Sequence, residues 1–316
     1  MANITLTSQL KGNVYINPIE EDVYILIKDI TEIDDSFNLL LASECRQMMI
    51  PKSVILEIRN VPIIPEELFR LSHITKLIIG EGVRRIECDA FADCKSLCEV
   101  DTSNAVDLEY FSGLSGTGIR ELILPPNVKS IPNLCSHCYS LRKITLNNKL
   151  LEISEKAFSF CTSLESVEIS DSCEEISTIC SSAFEGCGSL RGFYVNGIQK
   201  MNIVEVFPNL HHISNFAFKY CKSLQMILNA PLITQIDCEA FSFCQNLYNI
   251  VRLQNPQLQL GAHVFENTPV ATVYINKEAA VDQTAFVNLC IINVKWEEMK
   301  KEEDILQKLN NVGGTK

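Results

Sequence analysis

The chain has 316 residues with 27 basic against 39 acidic side chains, and its formal net charge of −12 repels a phosphate backbone, which argues against nucleic acid as the main partner. At 47% hydrophobic and 21% charged residues it can bury a large core and is no disordered polymer. No apolar run reaches the roughly 18 residues of a membrane span, and the start MANITLTSQLKGNVYINPIE lacks the pattern of a secretory signal, so a cytoplasmic location and reduced thiols are expected for its 14 cysteines.

Residues 1–64 are expected to form an N-terminal cap over the first rung of a repeated region. Within them NVYINPIEEDVYILIKDI alternates like a hairpin, and FNLLLASECRQMMI reads as a short helix.

From residue 65 to 290 one phrase recurs. Its good copies are AFADCKSL (90–97), LCSHCYSL (134–141), AFSFCTSL (157–164), AFEGCGSL (183–190), AFKYCKSL (217–224) and AFSFCQNL (240–247). Weaker copies are LFRLSHI (68–74), YFSGLSGTGI (110–119), VFENTPV (264–270) and AFVNLC (285–290). With the Cys slot as marker, the rungs fall at 71, 94, 114, 138, 161, 187, 221, 244, 268 and 289. A period of about 23 residues over about ten rungs is that of a solenoid. After the Leu comes an alternating run such as LRKITL, LESVEI or LRGFYV, which reads as a half-buried strand. A polar turn follows, then an Ile or Val that returns the chain (RRIECDAF, LEISEKAF, TQIDCEAF), and the Ala-Phe and Cys positions pack the opposite wall. One rung cannot bury these residues alone, so neighbours must stack with identical side chains in register.

Residues 291–316 include KWEEMKKEEDILQKLNNVGGTK, helical by composition. Trp296, Met299, Leu306 and Leu309 fall near one face, as suits a helix that caps the last rung or docks a partner.

The pattern S-L-x-x-I-x-L, a turn, then I-x-x-x-A-F-x-x-C resembles the BspA type of leucine-rich repeat over roughly residues 65–290. The resemblance implies a repeat solenoid of leucine-rich-repeat type, a curved right-handed superhelix with one parallel strand per rung lining one face. It also implies a non-enzymatic protein-binding module or adhesin.

Candidate chemistry is sparse. Cys135-x-x-Cys138 is the one CxxC, but Cys138 occupies the repeat thiol slot, Cys135 the Phe slot, and no second pair stands at zinc spacing. Cys88 and Cys238 each lie six residues before a slot cysteine and form a second shared position. His211-His212 sits in the longest interval without a nearby carboxylate motif. No nucleophile elbow, phosphate-binding glycine loop or HExxH occurs. No catalytic residue, metal, cofactor or small-molecule substrate is therefore assigned.

Function in such a solenoid is expected on the outer side of the strands. Alternation from Leu97 and Val100 sends Ile78, Asp101, Ile123, Thr145, Glu168, Tyr194, Leu228, Val251 and Tyr274 outward, with Met226 in the adjoining column. Tyr194, Met226, Leu228, Val251 and Tyr274 would then form an exposed apolar strip that anchors a protein partner. This assignment needs a constant register, because a slip of one residue reverses the faces. The expected function is a protein–protein interaction module or scaffold, within a larger assembly in one variant. The rival is a cell-surface adhesin binding host or matrix proteins, which protease treatment of intact cells would distinguish.

Overall fold

Successive rungs pair through two parallel ladders of β-strands in a computed structural model that describes residues 14–19, 22–29, 53–169, 173–226, 228–247, 251–269 and 273–285. The longer strands are β1 (Val14–Ile19), β2 (Asp22–Lys28), β3 (Ser53–Arg59), β5 (Lys76–Ile79), β7 (Glu99–Asp101), β9 (Glu121–Ile123), β10 (Lys143–Leu146), β11 (Ser166–Ile169), β13 (Gly192–Val195), β17 (Val251–Leu253) and β19 (Val273–Ile275). The second ladder uses two-residue strands: β4 (Ile63–Ile64), β6 (Arg85–Ile86), β8 (Tyr110–Phe111), β12 (Thr178–Ile179), β15 (His212–Ile213), β16 (Gln235–Ile236), β18 (Gln259–Leu260) and β20 (Ala280–Val281). Together they make a β-solenoid of about nine turns. The hairpin expected near the N-terminus is present, with β1 antiparallel to β2, and β2 then pairs in parallel with β3. The helices expected over FNLLLASECRQMMI and around Trp296 lie outside the described residues.

Alternation sets the core. Leu77 and Ile79, Ile144 and Leu146, and Val167 and Ile169 point inward and are buried, while Lys76, Thr145 and Glu168 face out. Against this wall the Ala-Phe-x-x-Cys turns stack. Phe158, Phe184, Phe218, Phe241 and Phe265 lie ring over ring at centroid distances of 5.2 to 5.7 Å. That separation follows from the strand spacing of about 4.8 Å, since the same slot recurs one rung along, and it falls in the range that offset aromatic stacks prefer.

The cysteine slot is a hydrogen-bonding position. Cys161, Cys187, Cys221 and Cys244 each donate a thiol proton to the main-chain carbonyl in the Phe slot of the preceding rung, at Cys135, Phe158, Phe184 and Phe218, with S···O distances of 2.9 to 3.1 Å. Thr268 does the same with its hydroxyl, bonding Phe241 O at 2.6 Å. The main-chain ladder identifies the occupants of the weaker copies: Phe91 N–H bonds Gly113 O and Leu114 N–H bonds Leu134 O. Leu114 is therefore in the Phe slot and Thr117 in the Cys slot, where its hydroxyl lies 3.3 Å from Cys138 Sγ. Similarly Ser72, 3.1 Å from Cys94 Sγ, fills the slot in the rung before. The markers expected at 71 and 114 are thus corrected to 72 and 117, which makes the period more regular. Cys221→Thr should leave stability nearly unchanged, whereas Cys221→Val, of the same shape but without a donor, should cost about 0.5–1.5 kcal/mol in urea denaturation. The cost stays small because Phe184 O also accepts the Cys187 N–H at 3.1 Å.

The turn itself is strained. The second residue after the Phe slot is left-handed in rung after rung: Asp93, His137, Phe160, Tyr220, Phe243 and Asn267 have φ of 53 to 62°, a conformation bulky side chains seldom adopt. Gly186 takes this place with φ of 73°, and a Cβ there would lie 2.6 Å from the Phe160 ring that leans across it.

The longest interval adds a strand and fills core. Asn196-Gly197, with φ of 51 and 73°, forms the two-residue turn that joins β13 to the antiparallel strand β14 (Ile198–Lys200). A short 3₁₀ turn at Ile203–Glu205, capped by Asn202, then delivers Ile203, Val206 and Phe207 into the interior, where Phe207 meets Phe193 edge-on at 5.3 Å.

Candidate interaction face

The outer side of the longer strands is mainly polar and laced by ion pairs between rungs. Lys76 pairs with Glu99 one rung on, and Lys143 Nζ lies 3.6 Å from Glu168. Hydrogen bonding to Glu99 holds the Lys76 ammonium above its ordinary range. The strands do not form one sheet. β7 ends the sheet β1-β2-β3-β5-β7, and β9 ends the sheet β14-β13-β11-β10-β9. Between these two edges is a cleft of about 820 Å³ lined by Val100, Asp101, Thr102, Leu122, Ile123 and Pro125 among others. Local sequence accounts for the parting. The Asp101 carboxylate accepts the Ser103 N–H at 3.0 Å and turns the chain out of β7, and hydrogen bonding by the Ser103 side chain, then by its N–H, lowers the Asp101 pKa. After β9 come Pro125 and Pro126, which have no N–H to offer a ladder. One bond crosses the mouth, from Thr102 Oγ1 to Ile123 O at 2.7 Å. Ile123 itself points outward and is 63% exposed.

The apolar strip expected farther along is not there. Met226, Leu228 and Val251 are at most 1% exposed and belong to the core. The cause is register. Ile144 follows Leu141 by three positions, but Met226 follows Leu224 by two and Val251 follows Leu247 by four, so a column read at constant spacing lands on inward residues. Tyr274 keeps its outward place, in register with Arg252, but is only 8% exposed, with the guanidinium 5.5 Å from its ring centre. Tyr194 is half-buried, opposite Gln199 of β14. Within the outward column Ile123 is the most exposed apolar side chain among the described residues.

Cys135, Cys138, His211 and His212 have structural surroundings. Cys135 and Cys138 are fully buried in their slots, and burial pushes the Cys135 thiol well up. His212 Nε2 is 2.8 Å from Asp237 Oδ2 and 3.4 Å from Ser214 Oγ. Because both partners address the same ring nitrogen, the imidazole cannot pass a proton from the serine toward the carboxylate as a catalytic triad requires. His211 Nδ1 is bound to Asn209 O. Among the described residues no three His, Cys, Asp or Glu side chains converge to hold a metal ion, and no helix is long and apolar enough to cross a membrane.

No curated protein matches this chain. Among solved structures, a T. pallidum leucine-rich repeat protein is 18% identical over 58% of this chain and 78% of its own, with a TM-score of 0.39. The pneumococcal vaccine antigen PcpA is 12% identical over 92% of this chain and 95% of its own, with a TM-score of 0.46. A leucine-rich repeat protein from Bacteroides ovatus is 17% identical over 89% and 98%, with a TM-score of 0.30. The BspA type leucine-rich repeat region, in 6 copies, matches residues 62–191 and 176–293. That span exceeds half of the sequence and coincides with the stacked Phe and Cys slots, so the chain belongs to the BspA type leucine-rich repeat family.

Proposed function

We propose that this chain is a protein-interaction module or scaffold that holds a partner along the outer side of its longer strands, anchored at Ile123 and the cleft beside it. The observation that carries this reading is the exposure of Ile123 on a mainly polar face, where the strand ladder parts. A β-branched apolar side chain beside a recess whose lining includes Leu122 and Val100 suits a complementary protein surface, because hot spots sit in pockets that binding dries out. Tyr194, on the same face, would extend the contact. The slot cysteines Cys161, Cys187, Cys221 and Cys244 are buried thiols that donate to main-chain carbonyls, which suits a reducing compartment such as the cytoplasm.

The test is Ile123→Ala against a partner captured from native lysate and then purified. Binding should weaken by about 2 kcal/mol or more by calorimetry, while the melting temperature stays put because an exposed side chain contributes little to folding. Thr145→Ala, in the same outward column one rung on, should change neither. Equal affinity of the Ile123 variant and the unmodified protein would place the docking surface elsewhere.

A further inference from the structure

The rung that carries Cys135 and Cys138 sits where both strand ladders break. On one face β9 of this rung is parted from β7 of the rung before. On the other face the short-strand ladder that includes β8 ends with the bridge from Tyr110 to Ser130, and the next begins with the bridge from Ile153 to Ile179. The rung has therefore lost a ladder toward each neighbour. The aromatic column is interrupted at the same place: Phe69 and Phe91 stack at 5.1 Å, the longer stack starts at Phe158, and between them the slot holds Leu114 and Cys135. Fewer strand bonds and no ring in the slot make this joint a low-cost place for local opening, although Leu151 N–H still bonds Lys129 O at 3.3 Å across it.

Two thiols share one turn here, whereas the other described rungs place at most one cysteine in the turn, and Ser72, Thr117 and Thr268 fill the slot without one. Cys138 N–H bonds Cys135 O at 3.1 Å, closing a four-residue turn. The ends of such a turn lie within about 7 Å of each other, the separation a disulfide spans. We propose that Cys135 and Cys138 form a redox clasp: a small disulfide such as oxidised glutathione, admitted when the joint opens, converts the two thiols into an intramolecular disulfide. One protein thiolate attacks the glutathione disulfide and releases one glutathione thiol. The second attacks the mixed disulfide and releases the other, so two protons and two electrons leave the pair and reduce one glutathione disulfide to two thiols. The product deprives Cys138 of the proton it donates to Leu114 O at 3.0 Å, a bond that ties this rung to the one before it. Oxidation thus loosens the joint beside the cleft. Its effect on docking rests on the function proposed above; the clasp itself does not.

The full-length native protein is incubated with oxidised glutathione, alkylated and mapped by mass spectrometry, with amide hydrogen exchange measured on both forms. The expected product is lighter by two hydrogens, with Cys135 and Cys138 joined within a single peptide that resists alkylation, while Cys187, Cys221 and Cys244 remain thiols; exchange across residues 113–138 becomes faster. Glutathione adducts confined to the exposed Cys98 and Cys238, or unchanged exchange in a protein that has formed the disulfide, would overturn the proposal. Cys138→Thr, the residue type already in this slot at Thr117 and Thr268, must abolish the two-hydrogen loss. Should that variant fail to fold, Cys135→Leu, matching Leu114 in the Phe slot, gives the same reading. Persistence of the loss in a folded variant refutes the assignment.

Discussion

Phe241→Ala should lower the free energy of unfolding by about 3–5 kcal/mol, because it removes a fully buried ring and leaves a cavity that rigid neighbours cannot close. Phe241 stacks on Phe218 at 5.2 Å on one side and on Phe265 at 5.7 Å on the other, so its loss breaks the column in the middle. Phe158, at the end of the column, stacks only on Phe184 at 5.4 Å among the described residues and borders the Cys135 slot. Phe158→Ala should therefore fall toward the lower end of the same range, since the smaller neighbour leaves room for collapse. Urea denaturation followed by circular dichroism measures both. Unchanged midpoints in the two variants would mean that the Phe slot is not the core of the solenoid.

Leu228→Ala should cost about 2–5 kcal/mol as well, and Met226→Ala a similar amount, since both side chains are buried. This outcome separates the observed register from a constant one, under which these residues would be exposed and their truncation nearly neutral. The paired control is Ile123→Ala, on the outer face, which should leave the denaturation midpoint where it is. If Leu228→Ala were neutral and Ile123→Ala destabilising, the faces would have to be exchanged.

Those two residues also show which parts of the fold could be read from the sequence. Where polar and apolar residues alternate strictly, as in Lys143-Ile144-Thr145-Leu146, the phase of the strand is determined, and inward and outward residues are assigned correctly. At Met226-Ile227-Leu228 and Ile250-Val251 apolar residues are adjacent, so alternation gives no phase, and only the spacing from the preceding Leu is left to set it. That spacing varies by one residue. The weak copy at 110–119 misled for another reason: Leu114 resembles a marker position, yet the slot is filled by Thr117, legible only once the slot is known to require a hydrogen-bond donor rather than a thiol as such. The Asn196-Gly197 hairpin was within reach, since Asn-Gly between two short apolar segments is the strongest short-range signal for that turn. The parting of β7 from β9 was not, because it arises from how an Asp101 turn and a pair of prolines act on neighbouring rungs at once.

The docking assignment is tested most directly by placing a photoreactive phenylalanine analogue at position 123 and, in a second protein, at position 232, where Leu232 is 43% exposed beside the short-strand ladder. Both are irradiated with the purified partner, and the adducts are resolved by mass. A cross-link to the partner from position 123 and none from 232 is what an anchor on the outer strand face requires. A cross-link from 232 with none from 123 would contradict it and move the interface to the opposite side of the solenoid.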